Sequence, residues 1–246
     1  MPFIDMGYII WVLVPTLIIS GLVQLYTRSA FGKWGKVRNS LNMTGEQVGQ
    51  ILVQRAPTLS QSSPNISIGG ARGQGMPAIT LERVGGELTD HYDPTSHTVR
   101  MSDTTASQPS VLAMAVVAHE LGHAEQHAQH SPLILARNFL LPALQFSPMA
   151  SYILIMIGLF LNFTGALWLG ILFFGITVIF AILTLPVEFD ASFRGLRLLR
   201  ENNMLRTAED GDGSRAVLMA AGATYVAAAI TSVLQLLYYL NLARSR

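Results

Sequence analysis

The chain has 246 residues, of which 50 % are hydrophobic and only 13 % are charged, against about 25 % charged residues in soluble domains. This composition favours a membrane protein over a soluble domain. The net charge of +1 gives no indication of nucleic-acid binding, and the absence of cysteine excludes disulfides and a cysteine-ligated metal.

The segment from Gly7 to Tyr26 predicts a transmembrane helix, because it carries no charge and would be about 30 Å long. It has neither the basic start nor the cleavage site of a removed signal peptide. Basic residues follow it directly, so the positive-inside rule places residue 28 onward in the cytoplasm. These residues are Arg28, Lys33, Lys36 and Arg38.

Residues 44–56 predict a short amphipathic helix that Thr44 can cap. The apolar side of this helix consists of Val48, Ile51 and Leu52. Residues 57–76 are rich in Ser, Gly, Pro and Gln, which predicts a mobile loop. A glycine-rich phosphate-binding loop is the alternative, but no Gly-Lys-Ser/Thr sequence follows it.

A small β-hairpin is predicted next. Residues 78–84 alternate in polarity like a strand, and two glycines end this pattern. Residues 88–92 and 97–101 flank the turn sequence Asp-Pro-Thr-Ser at 93–96. An exposed strand of such a hairpin can bind an extended peptide through main-chain hydrogen bonds.

An H-E-x-x-H motif follows in an apolar run that begins at Val111. On a helix, His119 and His123 lie on one face and can bind the same metal ion, and Glu120 can reach a water on that ion. Residues 107–110 (Ser-Gln-Pro-Ser) predict the start of this helix. Two buried histidines beside a buried glutamate are costly, and a metal removes that cost, so we interpret the motif as a metal site.

Residues 138–187 contain no charged residue, and as one helix they would measure about 75 Å, far more than a bilayer. Two transmembrane helices fit better, at roughly 143–161 and 166–185. Pro142 and Pro148 are expected to start or kink the first of them.

A second cytoplasmic segment is predicted after the third span, because it is again basic. Its basic residues are Arg194, Arg197, Arg200 and Arg206. Residues 201–213 are polar and predict a loop. Residues 216–240 predict a last span rich in small residues that allow close helix packing. Arg244 and Arg246 then lie outside, against the positive-inside rule.

The predicted fold is mainly α, a multi-pass membrane protein with about four transmembrane helices and a small cytoplasmic α+β catalytic part. The predicted organisation is an N-terminal transmembrane helix (1–27), a cytoplasmic catalytic part with the hairpin and the motif helix (28–137), two transmembrane helices (138–187), a cytoplasmic segment with a third ligand (188–215) and a C-terminal transmembrane helix (216–246).

A catalytic zinc site takes three protein ligands and leaves one position for water. The residue ten positions after His119 is Gln129, so a third histidine at that spacing is absent. His127 lies one turn beyond His123, but three ligands on successive turns are spread too far along the axis for one zinc ion. We therefore interpret His127 as a neighbour of the site or a substrate contact.

Glu188 is the better candidate for the third ligand, since it directly follows a membrane span and no histidine lies downstream of His130. Asp190 competes for this role. Asp190 and Ser192 can alternatively orient a ligand through hydrogen bonds. A set of His119, His123 and Glu188 would hold one Zn²⁺ per chain.

The chemistry predicted for such a site is peptide hydrolysis. Zinc lowers the pKa of its water, Glu120 takes the proton, and the leaving amine finally receives it. The tetrahedral oxyanion also needs a hydrogen-bond donor. Three residues are candidates for that donor, namely His91, Tyr92 and His127.

Four stretches together resemble the bacterial YugP-like family of membrane neutral zinc metallopeptidases. They are Thr44-Gly45, Gly86-Glu-Leu-Thr-Asp-His-Tyr-Asp-Pro94, Ala118-His-Glu-Leu-Gly-His-Ala124 with Gln126-His127, and Leu185-Pro-Val-Glu-Phe-Asp-Ala-Ser192. The resemblance covers nearly the whole chain. More distantly, the chain is similar to membrane gluzincins of the HtpX and Ste24 type.

The resemblance implies a gluzincin-like catalytic part in the bacterial inner membrane, with the active site at the cytoplasmic face. It implies His119, His123 and Glu188 as zinc ligands and Glu120 as the base. Two positions depart from the pattern, since Ser192 replaces an aspartate of the distant relatives and the close family tends to asparagine at residue 190.

We therefore expect a membrane-bound zinc metalloendopeptidase whose partners are the lipid bilayer and a peptide or membrane-protein substrate. The alternative is a metal-stabilised membrane scaffold or regulatory protein without protease activity, which needs the ligands but not Glu120. A transporter is disfavoured, because the predicted spans carry no ionisable residue.

Overall fold

The computed structural model describes residues 6–56, 59 and 79–245. The predicted loop at 57–76 lies outside them, except for Leu59. The helices are α1 (Met6–Trp34, with a π-helical stretch at Ile9–Leu13), α2 (Gly45–Arg55), α3 (Asp103–Ser107), α4 (Val111–Ala128), α5 (Pro132–Phe160), α6 (Thr164–Glu201) and α7 (Ala208–Arg244). The strands are β1 (Thr80–Val84), β2 (His91–Asp93) and β3 (Thr98–Ser102).

In the described part of the chain, the four helices α1, α5, α6 and α7 are long and apolar enough to cross a membrane. Large apolar side chains stay exposed on them, for example Trp11 at 72 % and Phe139 at 83 %. Extended exposed apolar surface of this kind is suited to lipid rather than water. The mainly helical membrane fold predicted from the sequence is confirmed.

The ends of the long helices differ from the predicted ends. α5 begins at Pro132, and both Pro142 and Pro148 lie inside it, so neither proline starts the helix. α6 continues through Glu188 to Glu201 and is about 57 Å long. It therefore extends well beyond a hydrocarbon core of about 30 Å. Residues 208–213, predicted as part of a loop, belong to the first turns of α7.

Residue contacts divide the chain into two units. One unit consists of Met1–Tyr26, Pro132–Glu188 and Gly222–Arg246, and it contains the apolar parts of α1, α5, α6 and α7. The other consists of Thr27–Ser131 and Phe189–Ala221, and it contains α2, α3, α4 and the sheet.

The core of the second unit forms between α2, α4 and the sheet. Val48 and Leu52 of α2 and Met114 and Leu121 of α4 are fully buried there. Side chains cap both helices as the sequence predicted. Thr44 forms a capping box with Gln47, and the Ser110 hydroxyl accepts a hydrogen bond from the Ala113 amide.

The sheet has the order β1-β3-β2. β2 and β3 form the predicted antiparallel hairpin, with Tyr92 opposite Val99, whereas β1 pairs parallel to β3. The Asp93 carboxylate stabilises the intervening turn by accepting hydrogen bonds from the Thr95 amide and the Ser96 hydroxyl. β2 is thus an edge strand, and it contacts α4.

Helices α4 and α6 approach each other at backbone distance. A Cβ atom on Gly122 would lie 2.3 Å from the Ala191 carbonyl oxygen, and one on Gly195 would lie 2.7 Å from the Ala118 carbonyl oxygen. Only glycine fits these two positions. The H-E-x-x-H segment therefore lies directly against the part of α6 that follows Glu188.

We predict that Gly122→Ala lowers the melting temperature of the detergent-solubilised protein. Alanine is favoured over glycine inside a helix by about 1 kcal/mol, but overpacking costs about 1–3 kcal/mol or more, and the added methyl group meets backbone that cannot rotate away.

Gly211→Ala is the matched control, because a Cβ on Gly211 has open space around it. We expect that variant to be as stable as wild type or more stable. Equal melting temperatures for the two variants would contradict the close packing of α4 on α6.

Candidate metal centre

Three possible metal ligands converge at the contact of α4 with α6. One ligand atom from each of His119, His123 and Glu188 lies within 4.8 Å of the other two. The histidines are one turn apart on α4 and partly buried, and Glu188 is 3 % exposed. Glu188 precedes Phe189, the first α6 residue of the second unit, in one unbroken helix.

Glu120 lies between the two histidines in the sequence and is 9 % exposed. Its Oε2 atom accepts a hydrogen bond of 2.9 Å from the backbone amide of Tyr92 on β2. The backbone of edge strand β2 therefore fixes the position of this carboxylate through a hydrogen bond.

Each histidine has a hydrogen-bonding group at its Nδ1 atom. The Ser192 hydroxyl lies 3.2 Å from Nδ1 of His119, and the amide oxygen of Gln126 lies 3.0 Å from Nδ1 of His123. Contacts of this kind orient imidazole ligands in metal sites. Ser192 is thus placed as the sequence suggested. No contact with a ligand was predicted for Gln126, although its i+3 spacing from His123 indicates one.

Asp190, the competing third ligand, points elsewhere. Its Oδ2 atom accepts hydrogen bonds of 2.7 Å from both Nε2 of Gln126 and Nε of Arg194. Asp190 therefore contacts Gln126, which in turn contacts His123, so Asp190 is linked to that histidine through Gln126.

A buried ion cluster supports this side of the site. Glu125 is 2 % exposed, and its carboxylate accepts hydrogen bonds from Arg194 and Arg197 of α6. A buried carboxylate without such partners would be strongly unfavourable. The cluster therefore ties α4 to α6.

Arg137 of α5 is a cation that the sequence analysis did not consider. Its guanidinium lies 3.8 Å from Oε1 of Glu188 and 5.7 Å from the centre of the Phe180 ring. It offers positive charge beside the predicted carboxylate ligand. Its distance in sequence from Glu188, with a whole membrane hairpin between them, explains why spacing rules could not find it.

The three predicted oxyanion stabilisers do not form one group. His91 is exposed, with Nδ1 2.7 Å from the Thr89 carbonyl oxygen. The Tyr92 hydroxyl instead lies between two histidines, 2.6 Å from Nδ1 of His97 and 3.2 Å from Nδ1 of His127. Burial raises the pKa of Tyr92 and lowers the pKa of both histidines, so this cluster favours neutral side chains.

Comparison with known proteins identifies the family. A family model described as "Putative neutral zinc metallopeptidase" matches residues 71–244. The chain belongs to this family. It is also 32 % identical over 230 residues to "Putative membrane protease YugP" of Bacillus subtilis (strain 168), a match that covers 94 % of each chain. No solved structure matches the chain.

Family membership implies zinc, and the donors at this site suit that ion. Two imidazole nitrogens and one carboxylate oxygen are a usual set of catalytic zinc ligands. With bonds of about 2.0–2.2 Å and tetrahedral angles, two ligand atoms of one zinc ion lie about 3.4 Å apart, so the separations of up to 4.8 Å here would have to close by up to about 1.4 Å.

The buried His97 should make stability depend on pH. Because burial lowers its pKa in the folded state, the unfolded chain binds more protons below about pH 6.5. Stability is thus lost as the pH falls. We predict that the melting temperature drops more between pH 7.5 and pH 5.5 for wild type than for His97→Asn.

Asparagine is the suitable replacement, because His97 has a φ of +52° and asparagine tolerates that conformation. His91→Asn on the exposed edge strand is the control and should keep the wild-type slope. If His97→Asn also keeps that slope, His97 is not the group that titrates.

Proposed function

We propose that this chain is a zinc metalloendopeptidase that hydrolyses peptide or membrane-protein substrates at the cytoplasmic face of the bacterial inner membrane. In this proposal His119, His123 and Glu188 hold one zinc ion, and Glu120 is the general base. The observation that carries it is the convergence of the three ligand atoms within 4.8 Å on a chain of the zinc metallopeptidase family.

A zinc ion at this position would polarise the scissile carbonyl and make a bound water acidic near neutral pH. The side chains of the protein position the reacting groups and move the proton. Glu120 accepts the proton of the attacking water and passes it to the leaving amine. The Tyr92 amide holds the Glu120 carboxylate during both transfers through one of its oxygens.

Arg137 and Tyr92 are candidates for stabilising the oxyanion. The Arg137 guanidinium is already charged and lies beside Glu188. The Tyr92 hydroxyl can donate only one proton, and it is shared between His97 and His127. Arg137 is therefore the stronger electrostatic candidate, and Tyr92 requires a rearrangement of its histidine contacts before it can donate to a substrate.

The test is zinc content and proteolysis of the purified protein in detergent, with casein and a peptide library as substrates. We predict about one zinc per chain and cleavage by wild type. Glu120→Gln should keep the zinc and lose nearly all cleavage, because the amide cannot accept the proton. Glu188→Gln should lower zinc affinity by at least the 10–100-fold typical even of residues that support ligands.

Asp190→Asn is the comparison variant for Glu188→Gln. It removes a charge two residues away but keeps an oxygen that can accept the hydrogen bonds of Gln126 and Arg194, so it should affect zinc much less. Zinc retained by Glu188→Gln but lost by Asp190→Asn would refute the ligand assignment. A wild-type protein that holds zinc but cleaves no peptide would instead favour the scaffold without protease activity.

The cytoplasmic location is supported by the basic residues that follow the first and third spans. Since the chain has no cysteine, single cysteines report topology cleanly. We predict that cysteines at the exposed Glu87 and Glu209 resist a membrane-impermeant thiol reagent in intact cells. A cysteine at the exposed Asn162, between α5 and α6, should react.

Labelling of the Glu87 or Glu209 position from outside would place the site on the other side of the membrane. Permeabilised cells give the control, because all three positions should then react.

A further inference from the structure

Gln126 connects a predicted zinc ligand to the ion cluster on α6. It is fully buried on α4, three residues after His123. Its amide oxygen lies 3.0 Å from Nδ1 of His123, and its amide nitrogen donates to Oδ2 of Asp190 at 2.7 Å. Both ends of the amide are therefore engaged.

The chemistry of these partners fixes the orientation of the amide. The Asp190 oxygen also accepts a hydrogen bond from Nε of Arg194 at 2.7 Å, so this carboxylate acts as an acceptor. The amide atom facing it must then be the nitrogen, and the amide oxygen must face His123.

The same reasoning fixes the proton on His123. An amide oxygen can only accept, so Nδ1 of His123 must carry the proton and donate it to Gln126. In the neutral ring the other nitrogen, Nε2, then carries the lone pair, which is the form that binds a metal.

The hydrogen-bonding contact at Nδ1 of His119 is of a different kind. The group at its Nδ1 atom is the Ser192 hydroxyl, at 3.2 Å, and a hydroxyl can donate or accept. That contact allows either tautomer. The Gln126 oxygen, by contrast, can only accept, so its contact is compatible with a proton on Nδ1 of His123 and not with a lone pair there.

The far end of this connection is held by several hydrogen bonds. Arg194 also donates to the Gln129 amide oxygen at 2.6 Å and to Glu125 at 3.3 Å. Asp190 therefore has little freedom to turn away from Gln126, and the position of Gln126 is set by α6 as well as by α4.

We propose that Gln126 is a positioning residue that holds His123 in the Nδ1–H tautomer and so presents Nε2 to the zinc ion. Asp190 orients Gln126, and an amide thus takes the place that a carboxylate usually has behind a metal-bound histidine. This inference rests on the proposed function only in taking His123 as a zinc ligand.

The first measurement needs no zinc. In metal-free protein labelled with ¹⁵N-histidine, long-range ¹⁵N–¹H spectra distinguish the two tautomers of each ring, and His123→Asn identifies the His123 signals. We expect the Nδ1–H form in wild type and a substantial Nε2–H population in Gln126→Met, which has similar volume but no acceptor oxygen. A wild-type His123 in the Nε2–H form would overturn the proposal.

The second measurement is zinc affinity by competition with a chromogenic chelator. Gln126→Met should bind zinc about 10–100-fold more weakly than wild type, as is typical when such a supporting contact is lost. Gln126→Glu keeps an acceptor oxygen toward His123 but also sets a carboxylate against Asp190, so it should recover only part of the affinity. Gln129→Met removes a contact to Arg194 in the same cluster but touches no proposed ligand. Its zinc affinity should stay within about twofold of wild type.

Equal zinc affinity in Gln126→Met and wild type would refute the positioning role. Equal losses in Gln126→Met and Gln129→Met would also refute it, since they indicate general disturbance of the cluster. Failure of the proposed function looks different: wild type would then bind no zinc, while the tautomer of His123 would still report on Gln126.

Discussion

The close contact between α4 and α6 is the constraint on which the candidate site depends. Gly122 and Gly195 let each helix touch the backbone of the other, at Ala191 and Ala118 respectively. A helix pair with larger residues there would sit 8–10 Å apart between its axes, as most pairs do. Because Gly122 lies inside the H-E-x-x-H motif, the motif supplies the packing surface together with the chemistry.

The charged side chains of Glu125, Asp190 and Arg194, close to the two histidines, further restrict the relative position of α4 and α6. Buried ion pairs contribute little net stability, because desolvation offsets their attraction. Their geometric demands are strict, however, and Glu125, Asp190 and Arg194 can all be satisfied only when α4 and α6 have one relative position. We infer that the cluster around Arg194 contributes precision to the site more than stability to the fold.

Sequence patterns that act over a few residues predicted their structures well, and those that act over long distances did not. The caps at Thr44 and Ser110, the turn at Asp93 and the motif helix depend on spacings of two to four residues. The parallel pairing of β1 with β3 and the contact of Arg137 with Glu188 depend on the tertiary fold. Only the membrane-spanning part of α6 was predicted with bounds, because hydropathy locates a span and not the ends of its helix.

The base and the ligands are anchored to different parts of the protein, and α4 is the element they share. Successive residues on a helix point about 100° apart, so Glu120 turns toward β2 while its neighbour His119 turns toward α6. The Tyr92 amide fixes the first side of α4, and Ser192 and Gln126 with Asp190 support the second. Glu120 directly follows His119 in the sequence. The contacts of α4 with the edge strand β2 and with the long helix α6 therefore together fix where the proposed base lies relative to the proposed metal ligands.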